Sequence, residues 1–313
     1  MKYFVTLFVL FIPLLLFAEI HTVGSPFILV GNDGTYYMQP RWSPDGSRIA
    51  FTSANYRGLW FIDVDETEAV QLSDERAAGF GFEWSGDSKS IVARVAKYDG
   101  VKRFNAVKLF DVETYESRLL TEYRGKMPAL PRWTDADEKI YLFNSDELEI
   151  FETGKMATAL QKHPTDKRIF YLKNDKIVVG NIDTRSFEML NVNKEWRILN
   201  PVLSPDKSKI AFEVYGGNIY VAGIDGNGLV DLGPGNRPQW APDSEHLVYM
   251  ITSDDGHQII TSDIYVIKAD GTEKVRLNFP EDRLEMNPSW SPDGKKIAFD
   301  VFEEGAIYII EIS

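Results

Sequence analysis

The stretch Trp42-Ser43-Pro44-Asp45-Gly46-Ser47-Arg48-Ile49-Ala50-Phe51 returns almost unchanged as Trp290-Ser291-Pro292-Asp293-Gly294-Lys295-Lys296-Ile297-Ala298-Phe299. Its first half is turn chemistry. Pro44 presets the backbone angle for the second position of a tight turn, Asp45 tolerates the third and Gly46 closes it, so a type I turn is predicted. The second half, a charged residue followed by β-branched and aromatic residues, reads as the strand leaving that turn. Three variants follow the same plan: Trp84-Ser85-Gly86-Asp87, Leu203-Ser204-Pro205-Asp206 and Trp240-Ala241-Pro242-Asp243. Two copies are degraded, Trp133-Thr134-Asp135-Ala136-Asp137 and His163-Pro164-Thr165-Asp166.

With Trp42, Trp84, Trp133, His163, Leu203, Trp240 and Trp290 as anchors, the spacing runs from 30 to 50 residues and averages about 41. A period in this range marks a repeat architecture. Short β-branched and aromatic runs separated by turn residues fill each unit, as in residues 48–53, 59–64 and 69–72 after Trp42. With the strand entering the anchor, that makes four strands per unit. An all-β fold is therefore expected: a β-propeller of four-stranded blades, seven by the anchor count, or six if the His163 copy is an insertion. The last unit stops one strand short, whereas residues 26–30 precede the first anchor without a partner. That segment is expected to complete the final blade and close the ring.

Residues 1–18 stand apart. Lys2 precedes an apolar run from Tyr3 to Phe17 that ends at Ala18, the layout of a secretory signal peptide, with residues 19–313 forming a single propeller domain. An uncleaved N-terminal anchor is the alternative, since Leu16 is larger than the small residue preferred near a cleavage site. The chain has no cysteine, which suits an oxidising compartment entered without disulfides and removes thiol nucleophiles and cysteine metal sites. A net charge of −13 argues against a nucleic-acid partner, because phosphate binding needs a basic face. A periplasmic or secreted monomer, with no membrane span after signal cleavage, is the expectation.

The anchors resemble the propeller repeats of the TolB family and its relatives, in which a Trp-Ser-Pro-Asp-Gly turn leads into an Ile-Ala-Phe strand. The resemblance extends over the whole chain after residue 18 and implies a non-enzymatic protein-binding or scaffolding module of the cell envelope. Two departures stand out. TolB itself carries an α/β domain before a six-bladed propeller, and here the first anchor is already at Trp42. The related propellers of prolyl-oligopeptidase-type enzymes guard a following hydrolase domain, and here the sequence ends at Ser313. Another relative, the oligogalacturonate lyases, uses a histidine-rich metal site, which keeps a polysaccharide lyase or hydrolase with a channel site as the rival reading.

No Gly-x-Ser-x-Gly elbow and no phosphate-cradling loop is present, so no catalytic residue is nominated. The four histidines, His21, His163, His246 and His257, lie in no metal-binding spacing, and neither a metal nor a cofactor is expected. Asp63/Asp65 and Asp254/Asp255 read as loop and strand-end groups. The repeated turn aspartates Asp45, Asp87, Asp206, Asp243 and Asp293 have a rival reading as calcium ligands, which lacks a dense oxygen-ligand loop.

The channel mouth is the better candidate. The strand entering each anchor lies along the propeller axis, which nominates Gln39, Arg41, Glu83, Arg132, Asn200, Arg237, Gln239 and Asn287 as ligand-binding. Arg41, Arg132 and Arg237 are expected to share one phase of strand alternation and to converge, favouring a protein partner or an anionic ligand. The competing expectation is that each pairs with an acid between blades.

Overall fold

The computed structural model describes residues 20–31, 33–134, 137–144, 147–155, 168–277, 279 and 283–313. The His163 anchor and the segment 1–18 lie outside them. Seven antiparallel sheets follow one another along the chain as the blades of a β-propeller. They span residues 37–73, 83–119, 132–152, 168–189, 198–234, 236–276 and 285–312, numbered here as blades 1 to 7. Blades 1, 2, 5, 6 and 7 have four strands, and blades 3 and 4 each have three among the described residues.

The fourth strand of blade 7 is Thr22–Val30, which pairs antiparallel with Ala306–Ile312 in a register that sets Phe27 against Ile309. The closing strand thus includes residues 26–30, as expected, and reaches back to Thr22. Pro26 falls where the ladder register shifts between Val23 and Phe27, a place that tolerates a residue without an N–H donor.

A hydrophobic cluster lies at every blade interface, so the ring is packed all the way round. Tyr37 and Trp42 meet Ile307 between blades 1 and 7, and Phe61 meets Trp84 between blades 1 and 2. Val107 packs with Ile140, Tyr141 with Ile169, Ile177 with Phe212, Val221 with Trp240 and Ile264 with Trp290 at the five that follow.

The repeat explains this packing. The anchor tryptophans pack between blades, and in four of them the indole N–H donates to the carbonyl one residue before the preceding blade's anchor, while the Trp290 indole N–H is buried without a partner. Trp42 donates to Ser289 at 3.1 Å, Trp84 to Arg41 at 3.1 Å, Trp133 to Glu83 at 3.1 Å and Trp240 to Val202 at 3.0 Å. The turn after the anchor is equally regular. The Ser43 hydroxyl donates to Asp45 at 2.6 Å and accepts the Arg48 N–H at 2.9 Å, while the Gly46 N–H donates to the Ser43 carbonyl at 2.9 Å. Ser85/Asp87, Ser204/Asp206 and Ser291/Asp293 repeat the 2.6 Å bond. These aspartates are turn formers first, each committed to its own backbone.

Candidate ligand-binding channel

The innermost strands carry a shared irregularity that positions the channel side chains. Three residues before their anchors, Gln39, Asn200, Arg237 and Asn287 adopt left-handed φ values of 59°, 46°, 54° and 51°, and Gly81 in blade 2 does the same. In blades 1, 5, 6 and 7 the ladder slips by one residue there, between Met38 and Arg41, Leu199 and Val202, Asn236 and Gln239, and Met286 and Ser289. A proline follows in each case, Pro40, Pro201, Pro238 or Pro288, and has no N–H to give the ladder. Arg41 and Arg132 keep the expected common phase, each paired one residue before its anchor, but the resulting bulge breaks strand alternation at Arg237, which it directs in place of the pleat. Non-glycine residues held in this backbone region concentrate at functional sites.

Seven of the eight nominated residues, Gln39, Arg41, Glu83, Arg132, Asn200, Arg237 and Gln239, line one chamber of about 600 Å³. Its described wall carries five basic side chains, Arg41, Arg132, Arg168, Lys207 and Arg237, against a single acid, Glu83, with Trp42, Trp84, Trp133, Trp240, Tyr141 and Phe170 between them. The three nominated arginines are held differently. Arg132 makes a long ion pair with Glu83 at 3.8 Å and lies over the Phe170 ring at 4.6 Å. Arg237 donates to the Asn287 side-chain oxygen at 2.8 Å. Arg41 forms no ion pair among the described residues, and its Nη1 is buried without a hydrogen-bond partner. Burial, reinforced by the charge of Arg237, pulls its pKa down to about 10 against the attraction of Asp300.

Asn287 lies instead on a second cavity of about 640 Å³ at the mouth where the innermost strands begin. Gln39, Asn200 and Arg237 line both cavities and form the girdle between them. The mouth's polar floor is bound to itself. The Gln39 N–H donates to Asp300 at 2.8 Å, the Asn287 amide to Asp300 at 2.9 Å and the Asn200 amide to Glu213 at 2.9 Å, and Glu213 also accepts the Arg237 N–H. Asp300 is 2% exposed, and burial pushes its carboxyl up to about 7 despite its hydrogen bonds and the nearby Arg237 and Arg41. A third cavity of about 510 Å³, between blades 3, 4 and 5, shares Asn200 with the other two.

Sequence reading missed Asp300 and Glu213. Both stand ten residues after their anchors, at the end of an Ile-Ala-Phe strand, so a polar residue at that repeat position (Thr52 in blade 1) is the signal that could have exposed them. Elsewhere the titratable groups are locally engaged. Asp63 pairs with Arg48 at 2.7 Å, His246 with Asp243 at 2.6 Å, and Asp254 and Asp255 accept the backbone N–H groups of their own turn. Among the described residues no group of three or more His, Asp and Glu side chains comes together that could hold a metal ion. No helix there is long and apolar enough to cross a membrane.

Solved structures share this fold. An oligogalacturonate lyase from Vibrio parahaemolyticus superimposes with a TM-score of 0.56 at 15% identity, covering 94% of this chain and 98% of that one. A manganese complex of an oligogalacturonate lyase gives 0.54 at 15%, covering 94% and 95%. TolB from Acinetobacter baumannii gives 0.53 at 15%, covering 82% of this chain, which spans 57% of that protein's length. At such identities the likeness is one of fold. No family model and no curated protein matches the sequence.

Proposed function

We propose that this protein is an exported, non-enzymatic binding module that takes an acidic segment of a protein partner into the channel chamber. One observation carries the reading: a chain of net charge −13 gathers, among the described residues, five basic side chains and one acidic one on the wall of a single chamber. A buried donor without a partner costs about 1–3 kcal/mol, and an arriving carboxylate would recover that at Arg41 Nη1. Guanidinium groups suit a planar, bidentate acceptor, and a low-dielectric channel focuses their field on it. The tryptophans around them offer a partner segment apolar contact. Similarity to TolB supports the reading only at the level of fold. The test is calorimetric titration of the full chain with a capped hexaglutamate peptide: binding is expected, weakening as salt rises. Absence of binding at low salt would contradict it.

A second reading has a specific basis. Oligogalacturonate lyases share the fold over nearly their whole length, and their substrate is also a chain of carboxylates. Incubation with oligogalacturonate separates the two. Formation of an unsaturated product means a lyase, whereas binding without turnover favours the module.

A further inference from the structure

The mouth cavity differs in kind from the chamber it adjoins. Much of its wall is apolar, with Met38, Met250 and Met286 lining it beside Tyr36, Ile259 and Phe302, while Asn55, Asn236 and Thr252 add polar groups, the Asn236 amide donating to the Thr252 hydroxyl at 3.2 Å. Met38 and Met286 occupy the same repeat position, four residues before Trp42 and Trp290, immediately ahead of the bulge. Phe302 is 53% exposed, an unusual position for a phenylalanine, and meets Tyr36 edge-on with ring centroids 6.0 Å apart. The floor, by contrast, has little left to offer. Asp300 accepts from Gln39 and Asn287, Glu213 from Asn200 and Arg237, the Gln39 amide donates to the Tyr56 hydroxyl at 3.4 Å, and the Arg237 guanidinium donates to Asn287. A guest therefore gains chiefly from burying apolar surface. Methionine walls suit this, since a flexible, polarisable side chain adapts to the shape it meets.

We propose that the mouth is an anchor pocket for one aromatic or long aliphatic side chain carried by the acidic segment whose carboxylates occupy the chamber. The proposal rests on the binding-module reading and narrows its ligand to an extended protein segment in which an apolar residue stands next to acidic ones. Two features select that occupant. The girdle of Gln39, Asn200 and Arg237 is common to both cavities, so neighbouring parts of one extended chain can lie on either side of it. The charge beyond the girdle is basic, which makes the residues flanking the anchor acidic. An aromatic side chain filling a central pocket is also the usual source of affinity in an interface.

The experiment compares two capped pentapeptides, Glu-Glu-Phe-Glu-Glu and Glu-Glu-Ala-Glu-Glu, by calorimetry on the full chain. The phenylalanine peptide is expected to bind about tenfold or more tightly, the scale set by burying one such side chain. A double variant, Met286→Gln with Phe302→Ser, changes two partly or well exposed positions and so spares the core. It should shrink the gap to less than about twofold without altering the alanine peptide's affinity. Arg41→Ala should weaken both peptides together and leave the gap intact. Equal affinity of both peptides for the unmodified protein overturns the anchor while leaving the chamber reading standing. The neutral probe N-acetylphenylalaninamide, followed by saturation-transfer NMR, tests the pocket without the chamber. A signal with the unmodified protein that is lost in the double variant supports the pocket even if neither acidic peptide binds, and a signal that persists in the variant overturns it.

Discussion

The two ends of the innermost strands obey different rules. At the turn end most blades repeat one another: in four a serine is bonded to an aspartate two residues on, and in four a tryptophan N–H is given to the neighbouring blade's carbonyl. Along the channel, residues at equivalent places differ from blade to blade. The position three before the anchor is Gln39, Gly81, Leu130, Asn200, Arg237 or Asn287, and the position one before it is Arg41, Glu83, Arg132, Val202, Gln239 or Ser289. Uniform chemistry builds the ring, and varied chemistry on the same frame builds a site. Substitutions at the turn end should therefore cost stability, and substitutions along the channel should cost binding.

The largest structural effect is expected from the closure. Deleting residues 20–31 uncovers Ile307 and Ile309 and leaves blade 7 with a bare edge, so the melting temperature should fall by several degrees or more, measured by thermal unfolding. An unchanged melting temperature would mean that the ring does not depend on its latch. Next comes Trp42→Ala, which removes both the interblade ring and its bond to Ser289. A loss of about 3–5 kcal/mol is expected in denaturant titration, the range for emptying a buried aromatic site. Arg41→Ala, adjacent in sequence, should lower stability by far less, because its terminal nitrogen has no partner to lose. If the two variants cost the same, the contrast between the ends of the strand fails.

A smaller effect concerns pH. Burial raises the folded-state carboxyls of Asp300 and Glu285 to about 7, above their ordinary values. In the folded protein these groups hold protons that the unfolded chain has already released between about pH 4 and pH 7, so stability should fall as pH rises through that window and level off above it. Asp300→Asn should flatten part of the slope between about pH 4 and pH 7. A slope of the opposite sign, or one untouched by the substitution, would count against a protonated Asp300. The same titration should bear on binding. Arg41 and Arg237 share Asp300 as an attractive neighbour, and its protonation frees their field for an outside carboxylate, so the chamber should bind hexaglutamate more tightly at pH 6 than at pH 8.

Much of this fold is legible in the residues because its signals are local and repeated. Pro44, Asp45 and Gly46 specify a turn on their own, and seven spaced copies of an anchor specify a ring. The segment ending at Val30 is recognisable as a latch because a blade that ends one strand short needs a partner. The channel is harder to read. A period-two pleat is the ordinary expectation for residues 37–42, and only Pro40, with its counterparts Pro131, Pro201, Pro238 and Pro288, hints that the ladder is interrupted there. Asp300 and Glu213 are hidden for another reason. Each closes an apolar strand and looks like a surface residue, and its burial follows from the neighbouring blade's bulge, which supplies the N–H it accepts.

The arginines are the most direct test of the chamber. The affinity of capped hexaglutamate for the unmodified protein should be compared with that for the triple variant Arg41→Ala, Arg132→Ala, Arg237→Ala, with circular dichroism confirming that the variant folds. A loss of about a hundredfold or more is expected, of the order of two or three charge-assisted bonds, together with loss of the salt dependence. Unchanged affinity in a folded triple variant would contradict the chamber as the binding site and move the search to the outer loops of the blades.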